Sequence, residues 1–393
     1  MIQNTRYKIQ DTKYIALTGG AAAAEALRQI NPDVMPVYPI TPQTPIIETY
    51  AKMVADGKAD TEMIEVESEH SAMSATVGAS AAGARAMTAS SSQGILLMSE
   101  ILPIASGTRL PILMLASARA LSAPISIHGD HQDMMFVRDA GWIQIFSENA
   151  QEVYDNVFIA LKLAEAVRLP AMVIMDGFTT SHSVENLETL EDNIARNFAG
   201  DYQPKDYLLN FEDPKTFGPV GLQNSYFEFK RSQIEATNEV IKKLAGINQD
   251  YGKISGRKYD LVEKYKLDDA EKAIVVAGST AGTVKTAVDE LREKGEKVGL
   301  LKIKLFRPFP YEQIGEALKN VKNIAVLERT ASFGSNPPIY SEVIQGLYTM
   351  REMKHSVQSY IFGLGGREIF KEDIKKVFGQ DFDGKEVRYI GLK

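Results

Sequence analysis

The chain has 393 residues, of which 44% are hydrophobic and 24% charged, a composition typical of a soluble globular protein with more than one domain. Its formal net charge of -7 argues against a nucleic-acid-binding protein, because such proteins carry clustered positive charge. No apolar run approaches the roughly 18 residues of a membrane span, and the polar N-terminus lacks a signal-peptide pattern. We therefore expect a cytoplasmic protein that binds neither nucleic acid nor a membrane.

The sequence contains no cysteine. Disulfides, a catalytic thiol, thiolate metal sites and cysteine-ligated iron–sulfur clusters are therefore excluded in this chain. If electrons pass through clusters, another subunit must hold them. The same composition also fits a protein that simply works in a reducing or oxygen-sensitive setting.

Between about residues 15 and 180, apolar strand-like runs alternate with longer helical patterns, which predicts a parallel sheet with helices on both faces. The clearest helix begins at Asn149, with Glu152 in a capping-box position. The predicted strands are VMPVYPI (34–40), EMIEVE (62–67), RAMTASS (85–91), PILMLAS (111–117), WIQIFS (142–147) and AMVIMD (171–176).

The segment from about 185 to 268 is aromatic, charged and turn-rich, and 232–247 within it is typical of an amphipathic helix. We interpret this segment as an arm that connects two domains. From 273 onward, strand and helix patterns alternate again, which predicts a separate, smaller α/β domain. The predicted domains are 1–245, with the arm at about 185–268, and 269–393.

The first candidate site segment is YPITPQTP (38–45), which directly follows a predicted strand. Its three prolines make a rigid turn at the carboxyl end of the strand, where ligands of open α/β sheets bind. A purely structural interpretation makes Thr44 the N-cap and Pro45 the first residue of the next helix. That interpretation leaves the Thr41 hydroxyl available for a ligand.

The second segment is EVESEH (65–70), which ends a strand and precedes a helix rich in Ala, Ser and Gly. Small residues allow another backbone or a flat ligand to approach closely. Three carboxylates within five residues are usually only solvated. Glu69 is nevertheless well placed for proton exchange, because burial beside a neutral ring would raise its pKa.

The third segment is SARAL (117–121), followed by IHGDHQD (127–133). Arg119 lies at a strand end, where its planar fork could bind a carboxylate. An equally open alternative pairs Arg119 with Asp130 or Asp133. A metal site is disfavoured, because the His and Asp side chains are too close in sequence to converge easily on one ion. We expect no metal ligand here, but a loop that orders a substrate pocket.

Two further runs follow strands in the second half. GSTAGT (278–283) lacks the Lys of a P-loop and the third Gly of a dinucleotide-binding motif, so we expect a tight strand-to-helix turn. RPFP (307–310) follows LLKIKLF and is expected to fix a crossover or an interface.

Taken in order, YPITPQTP, ESEHSAMSA, TASSSQG, SARALS and IHGDHQD resemble the α subunit of multi-subunit pyruvate:ferredoxin oxidoreductases. LLKIKLFRPFP and YIFGLGGRE resemble the second domain of that family, so the likeness covers nearly the whole chain. It implies a Rossmann-like, pyrimidine-binding domain of thiamine-diphosphate enzymes followed by a smaller transketolase-C-like domain.

The resemblance also implies roles for individual residues. Glu69 would hydrogen-bond N1′ of the cofactor's aminopyrimidine ring and so promote loss of the thiazolium C2 proton. Thr41 and Arg119 would hold the carboxylate and carbonyl of a 2-oxoacid. Further contacts to thiamine diphosphate are implied for Pro39, Ile40, Ser92 and Gln93.

The usual diphosphate-binding pattern, Gly-Asp-Gly followed by an Asn, is missing from the chain, and Met175-Asp176-Gly177 is the nearest match. A thiamine diphosphate shared with a partner subunit is therefore expected. The resemblance implies that a β subunit supplies the diphosphate and Mg²⁺ site. Further γ and δ subunits, or their fused equivalents, would share with it the [4Fe–4S] clusters, with ferredoxin as electron acceptor and coenzyme A as acyl acceptor.

The implied reaction is the oxidative decarboxylation of pyruvate to acetyl-CoA and CO2. The same chemistry on oxalate, phenylglyoxylate or a branched-chain oxoacid stays open. A non-catalytic α/β binding subunit is the alternative from a different class.

Overall fold

The computed structural model describes residues 12–350 and 354–393, which alternate between strands and helices along most of their length. The strands are β1 (Thr12–Thr18), β2 (Val34–Val37), β3 (Glu62–Glu65), β4 (Met87–Ser90), β5 (Leu113–Ala118), β6 (Ile143–Phe146), β7 (Ala171–Asp176), β8 (Val184–Leu190), β9 (Val262–Tyr265), β10 (Lys272–Ala277), β11 (Val298–Ile303), β12 (Leu305–Arg307), β13 (Asn323–Glu328), β14 (Ser356–Phe362) and β15 (Arg388–Ile390).

The helices range from five to 30 residues in length. They are α1 (Gly19–Ile30), α2 (Thr44–Ala55), α3 (Glu69–Ala82), α4 (Ser92–Met98), α5 (Leu102–Gly107), α6 (Gln132–Phe136), α7 (Ala150–Val167), α8 (Asp192–Ala199), α9 (Tyr226–Ser255), α10 (Thr280–Glu293), α11 (Tyr311–Leu318), α12 (Pro338–Thr349) and α13 (Lys371–Phe378), with a short 3₁₀ helix at Leu364–Gly366.

The first sheet has the strand order β12-β6-β7-β5-β4, and its four strands β4 to β7 are parallel and fully buried. The parallel pair β2-β3 joins it through one bridge between Val34 and Ala86. The Thr88 hydroxyl strengthens this join, because it donates to the Pro36 carbonyl at 2.8 Å. Parallel strands buried on both faces need helices on both sides. The predicted α/β fold is confirmed.

The second sheet has the order β15-β14-β13-β10-β11-β9 and is parallel except for β9, which runs antiparallel to β11. One apolar cluster packs side chains of α3, α4 and α5 and the first sheet against strands of the second sheet. The two sheets therefore share part of their core. Two strands cross the division expected from the sequence, since β9 comes from the arm and β12 adds to the first sheet.

The six strands expected in the first half are present, although several are shorter than the apolar runs that predict them. A further antiparallel pair, β1 with β8, is not indicated by the sequence pattern. The arm contains β8, α8, α9 and β9, and α9 is longer than the predicted helix at 232–247. The expected helix N-cap at Thr44 is wrong, because α2 begins at Thr44 and Gln43 occupies the N-cap position.

The run LLKIKLF (300–306), expected as one strand before RPFP, is broken at Lys304, so that β11 stays in the second sheet and β12 pairs with β6 in the first. The Lys304 ammonium lies 3.3 Å from the centre of the Tyr259 ring and has no hydrogen-bond partner in the described part of the chain. Burial lowers the pKa of Lys304 to about 8. Lys304 is thus the residue at which the chain passes from the second sheet to the first sheet.

Lys302, beside this break, joins the two sheets through an ion-pair network. Its ammonium is 2.6 Å from Glu148 and 2.7 Å from Glu152, which flank the start of α7, and it also pairs with Glu263 of β9. These three carboxylates form the one group within residues 12–350 and 354–393 that could converge on a metal ion, and the Lys302 ammonium lies among them. Across those same residues, no helix is both long and apolar enough to cross a bilayer.

Replacing Lys302 by Met should lower the free energy of unfolding by about 3–5 kcal/mol, because the buried Glu152 carboxylate loses its ion-pair partner, whereas Glu148 and Glu263 keep Lys285. Lys297→Met is the matched control, since Lys297 forms an exposed pair with Glu271 and its loss should cost about 0–1 kcal/mol. Chemical denaturation of the purified chain measures both. Equal losses in the two variants would contradict a special role for Lys302.

Candidate active site

The candidate site lies at the carboxyl ends of the parallel strands of the first sheet. The segments expected to carry chemistry follow β2, β3, β4 and β5 directly. Because the carboxyl ends of parallel strands meet at one edge, residues far apart in sequence become neighbours there. Two groups of side chains result, one around Glu69 and one around Arg119.

Glu69 is the first residue of α3, and only 7% of it is exposed. The helix begins there because the Ser68 hydroxyl accepts a hydrogen bond from the Ser71 amide at 3.2 Å. No residue in the described part of the chain hydrogen-bonds to the Glu69 carboxylate. A buried carboxylate without a partner is costly, which points to a group supplied from outside the chain.

Gly94 of α4 has no side chain, which allows Glu69 to lie close to the α4 backbone. A methyl group added at Gly94 would lie 2.7 Å from Glu69 Oε1 and 2.5 Å from Ser90 Oγ. Ser90 is the last residue of β4, and its buried hydroxyl also lacks a hydrogen-bond partner among the described residues. Glu69 and Ser90 therefore both lie against Gly94, although the three residues come from different elements.

Gln43 adds a further buried polar group to this edge. Its side-chain amide donates to the Ala89 carbonyl at 2.8 Å, whereas its Oε1 has no partner in the described residues. Neither Gln43 nor Ser90 is predicted as a site residue from the sequence. Both lie inside quoted motifs, but only the fold shows that they are buried and incompletely hydrogen-bonded.

Arg119, which directly follows β5, is in contact with the backbone of Thr41. Its Nη1 donates to the Thr41 carbonyl at 2.8 Å, and its Nε donates to the Ser126 carbonyl at 2.9 Å. Its side chain forms no ion pair with Asp130 or Asp133 in the described structure. The expected alternative of a local salt bridge is thus not formed, and Nη2 remains available for a ligand.

Asp133 fixes the backbone on both sides of the second group. Its Oδ2 accepts from the amides of Ser92 at 2.8 Å and Arg119 at 3.0 Å, and its Oδ1 accepts from Met134. Complete burial raises the pKa of Asp133 to about 7, although these amide bonds oppose the change. Ser92 also donates its hydroxyl to the Ala120 carbonyl at 2.5 Å. The starts of α4 and of the loop after β5 are held together in this way.

Ser92 has a left-handed backbone conformation, with φ of 48°. Such a conformation in a residue other than Gly costs about 1–3 kcal/mol and is often found at functional sites. Its bonds to Asp133 and Ala120 hold it in place. Of the remaining predicted cofactor contacts, Gln93 and Ile40 are half-buried and Pro39 is exposed, as is Thr41.

The side chains of the HGDHQD run do not converge on one point. His131 Nε2 is 2.7 Å from Asp176, Asp130 accepts from the Gly365 amide, and His128 lies against the Phe178 ring. Asp176 belongs to the nearest match for a diphosphate motif. It is fully buried and already bonded by protein groups, so it offers no free ligand atom to a metal or phosphate.

Comparison with known sequences gives the family. Residues 25–247 match the family described as "Pyruvate flavodoxin/ferredoxin oxidoreductase, thiamine diP-bdg", and residues 270–374 match "Pyruvate:ferredoxin oxidoreductase core domain II". The chain belongs to this oxidoreductase family. The family resemblance expected from the motifs is therefore confirmed, and with it a domain type that binds thiamine diphosphate.

Members of this family resemble the chain over almost its full length. The "Pyruvate synthase subunit PorA" of Thermotoga maritima is 52% identical over 385 residues, which cover 96% of this chain and 98% of that protein. The "Ketoisovalerate oxidoreductase subunit VorA" of Pyrococcus abyssi is 41% identical over 385 residues, which cover 96% of this chain and 97% of that protein. Both are described as subunits.

A solved structure supports the fold. The "2-oxoglutarate:ferredoxin oxidoreductase from Magnetococcus marinus with 2-oxoglutarate, coenzyme A and succinyl-CoA bound" superposes with a TM-score of 0.74 at 20% sequence identity. The match covers 93% of this chain and 65% of that chain. At this identity the likeness supports the architecture alone.

Gly94→Ala should displace the Glu69 carboxylate, because the flexible end of Glu69 can move more easily than the α4 backbone. We expect turnover of the assembled oxidoreductase to fall about 10- to 100-fold, as for other small misplacements of reacting groups. Gly78→Ala in α3 is the control, because nothing lies within 4 Å of an added methyl group there. Unchanged turnover in Gly94→Ala would show that the position of Glu69 is not critical.

Proposed function

We propose that this chain is the subunit of a pyruvate:ferredoxin oxidoreductase that carries the activating carboxylate, Glu69. The proposed reaction converts pyruvate and coenzyme A to acetyl-CoA and CO2, and passes two electrons to ferredoxin. The observation that carries the proposal is the burial of an unpartnered Glu69 carboxylate at a strand-end edge, in a domain type that binds thiamine diphosphate.

Thiamine diphosphate, when bound, would supply a nucleophilic carbon for the oxoacid carbonyl and a cationic ring that delocalises the electron pair left behind when CO2 departs. In the proposal, Glu69 holds the aminopyrimidine ring by a hydrogen bond to N1′. The burial of most of Glu69 suits this role, because a positioned carboxylate with little solvent around it can exchange a proton with a bound ring. The unpartnered Ser90 hydroxyl and Gln43 Oε1 are further hydrogen-bonding groups for a polar ring at this edge.

Arg119 and Thr41 are proposed to hold the substrate carboxylate and carbonyl. Arg119 is 6% exposed and is oriented by two backbone carbonyls, which leaves Nη2 as a directed donor. Charge-assisted bonds from a fixed guanidinium hold a carboxylate strongly and in one orientation. Additional cofactor contacts are proposed for Pro39, Ile40, Ser92 and Gln93, which lie at the same strand ends.

Partner subunits complete the proposed site. Asp176 cannot serve as a metal ligand while it is bonded to His131 and Ser279, and the chain has no cysteine for clusters. We therefore assign the diphosphate and Mg²⁺ site to a β subunit, and the [4Fe–4S] clusters to the β subunit and to γ and δ subunits or their fused equivalents. Ile125 and Ile127, 76% and 40% exposed beside the site, favour coverage by a partner. We place the assembly in the cytoplasm.

Pyruvate is the favoured substrate, because the pyruvate synthase subunits include the 52% identical relative, whereas the named ketoisovalerate subunits are 41–42% identical. A branched-chain oxoacid is the second candidate, because ketoisovalerate oxidoreductase subunits are among the named relatives. Oxalate and phenylglyoxylate have no such support among the named relatives. The division into domains 1–245, with the arm, and 269–393 also remains a proposal.

The assembly test is to purify the native complex under argon, identify its subunits, and measure oxoacid oxidation with coenzyme A and a viologen dye. We expect pyruvate to give the highest kcat/KM among pyruvate, 2-ketoisovalerate, oxalate and phenylglyoxylate. A higher kcat/KM for 2-ketoisovalerate would identify that oxoacid as the substrate instead of pyruvate. A stable monomer without activity would defeat the enzyme proposal and favour a non-catalytic binding protein.

Glu69→Gln in the assembled complex should reduce turnover about 100- to 10,000-fold, the range of a lost proton-transfer group, while the iron–sulfur absorption spectrum stays unchanged. Glu67→Gln is the matched control two residues away. Glu67 is exposed and accepts a hydrogen bond from the Ser71 hydroxyl, so its loss should leave turnover near normal. Near-normal turnover in Glu69→Gln would move the activating role to another residue.

A further inference from the structure

The carboxyl edge of the second sheet is filled by residues of the first domain. In open α/β sheets this edge is the usual place for a ligand. Here Ser279 follows β10, Arg329 follows β13, and Gly363 to Gly366 follow β14. All three segments contact either Asp176 or the loop at 126–131, so the second domain binds part of the same chain where other proteins bind a ligand.

Asp176 is the centre of these contacts. Its Oδ1 is 2.7 Å from His131 Nε2, and its Oδ2 accepts from the Ser279 hydroxyl at 2.5 Å and the Ser279 amide at 3.1 Å. Arg329 Nη1 lies 3.3 Å from Oδ2. Burial alone would raise the pKa of Asp176, but the neighbouring His131 and Arg329 hold it well below its usual range.

The loop before α6 is bonded to the second domain at three successive residues. The Gly129 carbonyl accepts from the Gly366 amide at 2.8 Å, and Asp130 Oδ2 accepts from the Gly365 amide at 3.1 Å. The His131 amide donates to the Arg329 carbonyl at 2.8 Å. A side chain at Gly366 would collide with His128, since an added methyl group would lie 2.3 Å from its Cβ.

The same loop supports Arg119. The Ala120 amide donates to the His128 carbonyl at 3.2 Å, and Arg119 forms a β-bridge with Gly129. Arg119 Nε donates to the Ser126 carbonyl at 2.9 Å. Hydrogen bonds therefore join the second domain to the loop, and other hydrogen bonds join the loop to the guanidinium group of Arg119.

We propose that the second domain positions the substrate-binding loop at 119–133, and that Asp176, bound by Ser279, is the positioning residue that couples the two. The inference rests on the proposed function only in taking Arg119 as the substrate clamp. It also accounts for the run at 278–283. This turn opens α10 and binds an internal carboxylate through a backbone amide and a hydroxyl, an arrangement that helix N-termini favour.

A competing explanation is that Asp176 only stabilises the fold. Asp155 is a suitable comparison, because it is also fully buried and bonded to several groups: Tyr251 at 2.6 Å, Arg257 at 2.7 Å, and Tyr259. Asp155 belongs to α7, and these three partners belong to α9 and the segment that follows α9. Loss of its charge would therefore affect stability without affecting the loop.

The test compares Asp176→Asn with Asp155→Asn in the assembled complex. We expect Asp176→Asn to raise the KM for pyruvate about 10- to 100-fold, through misplacement of Arg119, with a smaller effect on kcat. Ser279→Ala should shift KM in the same direction, and it keeps the assay informative if Asp176→Asn fails to assemble. Asp155→Asn should lower thermal stability and leave KM within about 2-fold, since none of the three partners named above belongs to the loop at 119–133.

Hydrogen exchange gives a readout that does not depend on activity. Asp176→Asn and Ser279→Ala should speed exchange at the amides of His131 and Gly366, whereas Asp155→Asn should not. Equal exchange and equal KM in the three variants would overturn the inference. Failure of the wild-type complex to oxidise any 2-oxoacid would instead overturn the proposed function, and the exchange measurement would still decide whether Asp176 positions the loop.

Discussion

The interaction of the Asp176 carboxylate with both domains is the constraint on which the rest of the structure depends. A buried carboxylate is stable only when charges and hydrogen bonds replace its water, and here His131 lies in the first domain while Ser279 and Arg329 lie in the second. The orientation of the second sheet against the first is therefore tied to a strand end of the candidate site. Lys302 secures the same junction from another side.

Glu69 and Asp176 illustrate how environment separates two buried acids at the same sheet edge. Asp176 has all its acceptor capacity directed to protein donors, which suits a structural and positioning role. Glu69 is nearly as buried but has no donor in the described residues. Because a largely buried carboxylate without a hydrogen-bond donor is expensive, the contrast favours an external hydrogen-bonding group at Glu69 and disfavours one at Asp176.

The sequence predicts local features well where one pattern decides them. The apolar runs at 113–118 and 171–176 become β5 and β7, since strands buried on both faces are apolar throughout. The pattern fails at Lys304, where an apolar run with two lysines divides between two sheets and the buried Lys304 ammonium packs on the Tyr259 ring. It also fails for the partners of Asp176, because Ser279 lies 103 residues away and no periodicity links them.

The hydrogen bonds of Asp176 also bear on how the proposed cofactor site is completed. The motif Met175-Asp176-Gly177 occupies a strand end where a diphosphate-binding acid could stand, yet its carboxylate is used to join two domains. In the proposed function, a partner subunit supplies the metal and diphosphate ligands that this internally bonded acid does not. The exposed Ile125 and Ile127 border the site on the loop that Arg119 begins. A partner that covered these side chains would bury apolar surface and would bring its own cofactor ligands to the edge where Glu69 has none.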